Sequence, residues 1–204
     1  MTKPKLPSIK EAEALLSWAN TQNPGPWTRH SKTVARAAKT IAVRCGLDAK
    51  TAYILGLLHD IGRYAGQTDL LHIVSGYSLM KEKGYDLIAR ICLTHSFPHK
   101  NLNSFSGVND CTNDQIKLIK SKLSEYNYDD YDKLIQLCDA ICMAGGVYLM
   151  EARLVDVARR HRILNRNILN KWNAFFEIKK YFDTRCGMNI YQLFRDEIIK
   201  NCIS

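Results

Sequence analysis

Leu57-Leu58-His59-Asp60-Ile61-Gly62-Arg63 closes an apolar run that begins at Ala52. A histidine and an aspartate stand side by side where a greasy helix ends. Burying such a pair costs on the order of several kcal/mol unless a partner satisfies both groups. A divalent metal does so, because imidazole nitrogen and carboxylate oxygen are both good ligands. The competing reading is structural: His59 covers helix-end carbonyls and Asp60 opens a turn.

On either side of this stretch the signals are helical, and no convincing alternating strand run is present. Ser8-Ile9-Lys10-Glu11 reads as a capping box opening a helix to about Asn20. Asn23-Pro24-Gly25-Pro26 breaks it, with Pro26 suited to the first turn of the next helix, about Trp27 to Cys45. Gly46 stops that helix and Asp48 caps the third, Ala49 to about His59. Further helices are expected at about Asp69–Lys83, Leu87–His95 with Asp86 as cap, Asp114–Asn127 and Asp130–Ala144. Gly145-Gly146 interrupts or kinks the path into Val147–Arg160, and helices at about Asn167–Arg185 and Ile190–Cys202 follow. The long polar segment from Ser96 to Asn113 is a loop, and long loops in small domains are often functional. The expected fold is therefore all-α.

The 204 residues suffice for one domain with a sizeable core. Nothing approaches the roughly 20 consecutive apolar residues of a membrane span. The charged start, Met1-Thr2-Lys3-Pro4-Lys5, lacks a signal-peptide core, so a cytoplasmic location and reduced thiols are expected for the seven cysteines. Cys92, Cys138 and Cys142 fall on apolar helix faces as small core residues. The net charge of +9 suits an anionic partner, either nucleic acid or a phosphorylated small molecule. From Arg153 to Ser204 there are eleven Lys/Arg against five Asp/Glu. That excess is either a partner surface or simply a solvated helical face.

The remaining histidines turn the first stretch toward a ligand reading. His30 begins the apolar stripe of its helix, His72 opens one and His95 ends another. Asp139 sits inside Leu134-Ile135-Gln136-Leu137-Cys138-Asp139-Ala140-Ile141-Cys142, where a lone carboxylate is costly unless paired or metal-bound. Six such residues, His30, His59, Asp60, His72, His95 and Asp139, lie on five expected helices. Imidazole with carboxylate suits Fe, Mn, Zn or Ni better than Mg alone.

The order His30, His59-Asp60, Asp139 resembles the H…HD…D pattern of the HD-domain superfamily of metal-dependent phosphohydrolases, and Leu58 to Arg63 is similar to its HDIG-type signature. The resemblance covers about residues 27–150, within a single domain spanning 1–204. It implies a helical bundle, with an N-terminal helix before it and a C-terminal helical extension, 151–204, after it. His72 and His95 resemble the extra histidines of dinuclear members such as the symmetrical dinucleoside tetraphosphate hydrolases. Ala144-Gly145-Gly146-Val147 departs from the acidic, arginine-containing continuation of that branch.

The resemblance implies one or two divalent ions, drawn from Fe, Mn, Ni, Zn, Co and Mg. His30, His59, Asp60 and Asp139 would hold the first. Asp60 would bridge to a second on His72 and His95. Asp60 and Arg63 are the expected catalytic residues, and Arg63, Thr94, Ser96 and Lys100 are expected to meet a phosphorylated small-molecule substrate, a nucleotide foremost. His99 is expected in the loop as an exposed residue. The alternative is a non-catalytic nucleotide or nucleic-acid-binding module, using Arg159-Arg160-His161-Arg162, Arg166 and the aromatics Trp172, Phe175, Phe176, Tyr181 and Phe182.

Overall fold

The computed structural model describes residues 4–202. Its first helix, α1 (Ile9–Gln22), starts with the capping box read from the sequence. The Ser8 hydroxyl accepts from the Glu11 amide at 3.2 Å, and the Glu11 carboxylate accepts from the Ser8 amide at 2.7 Å. Helix α2 (Trp27–Cys45) ends at Gly46, whose φ of 75° is the left-handed conformation that glycine adopts at least cost. Helix α3 (Ala49–Leu58) starts at Asp48, which accepts from the Thr51 amide at 2.7 Å. A 3-10 turn, Ile61–Ala65, follows the His59-Asp60 pair.

Helices α4 (Leu71–Glu82), α5 (Asp86–Thr94), α6 (Asn113–Glu125) and α7 (Asp130–Ile141) complete the core. Helix α2 packs most extensively on α3. Val34, Ala37, Ala38 and Ile41 on α2 and Ile54, Leu55 and Leu58 on α3 are fully buried. The two backbones come close because Gly56 presents no side chain: a Cβ there would press on the backbone of Ala35. Cys92, Cys138 and Cys142 are buried, as expected, and all seven cysteines are free thiols.

Three expectations need correction. Helix α7 stops at Ile141 instead of reaching Ala144, and a two-stranded antiparallel hairpin follows, Cys142–Met143 paired with Gly146–Val147. Gly146 at φ 141° permits this turn, and Glu197 accepts from the Val147 amide at 3.0 Å. Asp86 is the first residue inside α5, not its cap, and its carboxylate goes to Lys81. The last expected helix is a 3-10 turn, Ile190–Phe194, running into α10 (Arg195–Cys202). Between hairpin and turn lie α8 (Met150–His161) and α9 (Arg166–Cys186). Among the described residues no helix is long and apolar enough to cross a membrane.

Candidate metal centre

Five helices aim six side chains at one volume. His30 lies one turn into α2, His59 and Asp60 follow α3, His72 opens α4, His95 follows α5, and Asp139 is on α7. Asp60 Oδ1 lies 3.1 Å from His72 Nε2 and 3.5 Å from His95 Nε2. His59 Nε2 is 4.0 Å from Asp60 Oδ2 and 3.9 Å from Asp139 Oδ1. His30 Nε2 meets Asp139 Oδ1 at 2.9 Å. The histidines and Asp60 are buried, and Asp139 is partly so.

Backbone carbonyls set the orientation of three rings. His59 Nδ1 donates to the Gly56 carbonyl at 2.7 Å and His95 Nδ1 to the Cys92 carbonyl at 2.9 Å. His72 Nδ1 donates to the carbonyl of Asp69. A carbonyl can only accept, so each Nδ1 carries the proton and each Nε2 presents a lone pair to the centre. Metal-binding histidines are held by the same arrangement. The result leaves His59 Nε2, His72 Nε2 and Asp60 Oδ1 buried without any hydrogen-bond partner. Buried polar atoms are nearly always paired, so three orphans in one cluster mark a ligand site.

Electrostatics prepare the same state. Burial pushes His59 below its ordinary value, and it pushes His95 down to about 3 with help from the nearby His59. Both rings are thus neutral, as a ligand must be. Burial opposes the charge on Asp60, yet the adjacent Arg63 guanidinium leads the causes that hold its carboxyl well below the usual range. Asp139 is likewise ionised: burial works against it, and the hydrogen bond with His30 leads the causes that prevail. Three ligand groups have donor atoms within 4.8 Å of one another: His30, His59 and Asp60; His59, His95 and Asp139; Asp60, His72 and His95. Nitrogen and carboxylate donors in this number fit a divalent cation, and Asp60 belongs to two of the groups.

The centre opens into a cavity of about 560 Å³. Arg63 and Ser96 line it. Arg63 donates from Nε to Asp60 Oδ2 at 2.6 Å. Thr94 and Lys100 do not line it. Thr94 is fully buried and donates to Asp132 Oδ1 at 2.8 Å, because its turn of α5 faces α7. Lys100, in the left-handed region at φ 57°, reaches the Tyr126 carbonyl at 2.6 Å. His99 also departs from expectation, being half-buried with both ring nitrogens unpaired. Sequence reading missed Asp69, Arg153 and Lys171 on the cavity wall, and it put Arg160 and His161 on an outer surface although both line the cavity. The one signal for the basic residues among them was the Lys/Arg excess from Arg153 onward, and Asp69 had none.

The HD domain family model matches residues 27–144. Ribonuclease Y of Chlorobaculum tepidum is 41% identical over 54 residues, which make up 26% of this chain and 10% of that protein. Ribonuclease Y of Chlorobium phaeovibrioides is 43% identical over 53 residues, with the same shares. The chain thus spans about a tenth of the length of these relatives. Among solved structures, the HD domain of the L. monocytogenes phosphodiesterase PgpH is 16% identical with a TM-score of 0.42, covering 79% of this chain and 94% of that one. The same domain in complex with cyclic-di-AMP gives 0.43, 79% and 93%. All six converging residues fall inside the family match, which spans more than half of the sequence, and the chain accordingly belongs to the HD domain family.

Proposed function

We propose that this chain is a two-metal phosphohydrolase that cleaves a phosphate ester or phosphoanhydride of a nucleotide. The observation that carries the proposal is the set of three orphaned, buried donor atoms around Asp60, whose two oxygens face different histidines. His30, His59, Asp60 and Asp139 would hold one ion, and His72 and His95 with Asp60 the other. When bound, divalent ions would supply charge stabilisation at phosphoryl oxygens and an acidified water, so that no strong protein base is needed.

The protein's own share is orientation and charge. Carbonyls on the Nδ1 side hold the imidazoles in place. Arg63 anchors Asp60 through Nε, and its terminal nitrogens make no hydrogen bond among the described residues. They are free to take the substrate's phosphoryl oxygens as a planar fork. Ser96 adds a hydroxyl on the same wall. The nucleic-acid-binding alternative is less well supported: Phe175 and Phe182 are buried in the core, and Trp172 faces the cavity.

Two measurements test the proposal. Elemental mass spectrometry of purified protein should find two divalent ions per chain. It should find fewer than one in Asp60→Ala and about one in His72→Ala or His95→Ala. A phosphate-release screen of stripped protein, over a nucleotide panel with Mn, Fe, Co, Ni or Mg resupplied, should identify a substrate. An undiminished metal count in Asp60→Ala would sink the proposal.

A further inference from the structure

The metal centre accounts for the floor of the cavity, while α8 and α9 supply another wall that the ligand set leaves unexplained. Arg153, Arg160 and His161 come from α8 and Lys171 from α9. Arg153 Nε donates to the Cys142 carbonyl at 3.0 Å, which steers the guanidinium inward. Its Nη1 is buried with no hydrogen-bond partner, and the nearest carboxylate, that of Asp156, is 3.6 Å away. Lys171 makes no hydrogen bond and no ion pair among the described residues, and its ammonium lies 5.8 Å from the centre of the Phe175 ring. Burial pushes Lys171 down to about 8, Asp139 opposing and Arg153 assisting. Both residues are only partly buried, and among the described residues Arg153 has an ion pair with Asp156 alone while Lys171 has none. A ligand anion is the natural complement of such under-paired cations on a cavity wall.

Formal charge decides how many anionic groups the cavity suits. Its wall holds four Arg/Lys, namely Arg63, Arg153, Arg160 and Lys171, against four carboxylates, Asp60, Asp69, Asp139 and Asp156. These cancel, and the two divalent ions of the reading above, with the hydroxide formed from their water, would leave three positive charges. One phosphate under attack supplies only one or two negative charges. A cavity of about 560 Å³ also has room for a nucleotide-sized molecule.

The geometry points to a second anion subsite at Arg153 and Lys171, so that the substrate carries a second phosphate besides the one that is hydrolysed. This subsite rests on the two-metal reading, and it deepens that reading by naming a doubly phosphorylated small molecule as substrate. Arg153 offers a planar fork to phosphate oxygens, and Lys171 a point charge beside it.

Calorimetric titration of the manganese-loaded full chain tests it, with methylphosphonate and propane-1,3-diphosphonate as probes. Neither can be hydrolysed at its carbon–phosphorus bonds. The wild type should bind the diphosphonate at least tenfold more tightly. Lys171→Gln and Arg153→Gln should each bring the preference to about threefold or less, with methylphosphonate affinity and metal count unchanged. Arg153→Gln also loses its bond to the hairpin, so if it misfolds Lys171→Gln decides, since that side chain has no hydrogen bond to lose. A preference that persists in Lys171→Gln, or is absent from the wild type, overturns the subsite. A chain that takes up no manganese defeats the hydrolase reading itself, whereas metal uptake with methylphosphonate binding and no preference defeats the subsite alone.

Discussion

Thr94 and Asp60 show how differently two polar residues can be used beside the same cluster. Thr94 helps to satisfy the buried Asp132, which also receives Arg90 Nε at 3.2 Å and the Asp129 amide at 2.9 Å. Thr94→Val should therefore cost about 1–3 kcal/mol of stability, the usual penalty for depriving a buried acceptor, and leave KM unchanged. A raised KM at unchanged stability would return Thr94 to the substrate. The histidines make a pH prediction for stripped protein. Unfolded histidine titrates near 6.5, whereas burial holds native His59 lower and His95 down to about 3. Above about pH 6.5 both states are neutral. As the pH falls from there toward about 3, the unfolded chain takes up protons that the native one refuses, and stability drops. Thermal melts from about pH 7.5 to about pH 4.5 should show a falling Tm, with a shallower slope in His95→Gln. A flat profile would contradict neutral, buried imidazoles.

Among the elements, glycine settles how closely the ligand-bearing segments approach. Gly62 begins the second step of the 3-10 turn after Asp60, and a Cβ there would run into the carbonyl of His72 and the backbone of Gly76. That contact seats the turn on α4 and brings Asp60 to His72. Gly62→Ala should cost about 1–3 kcal/mol by overpacking and weaken binding of the second metal more than the first. Metal titration with a thermal melt checks both. Equal loss at both sites would show that the glycine serves general packing only. The sequence announced a turn here, but Gly62 and His72 are ten positions apart, and no local pattern reveals that their backbones touch.

For the whole molecule, an ion in the centre would staple five elements that the chain alone holds together only by packing. An ion that binds the folded state at 100 times its Kd adds about 2.7 kcal/mol. For a chain of this size that raises Tm by roughly 5–10 °C. Adding manganese or cobalt to stripped protein should reproduce this rise, and Asp60→Ala should abolish it. An equal rise in Asp60→Ala would place the ion elsewhere.

Helix-forming periodicity, caps at Ser8 and Asp48 and the stop at Gly46 are local, so the sequence by itself determined the helical class and nearly every boundary of the core. The converging histidines and aspartates were legible too, because such a residue on an apolar face is expensive enough to stand out. What only the tertiary structure decided was direction. Thr94 turned to Asp132 and Lys100 to Tyr126, whereas Arg153 and Lys171, which read as part of a basic surface, turned into the cavity. Solvated and inward-facing cations look alike in sequence. Their difference arises only when distant helices close over them and remove the water.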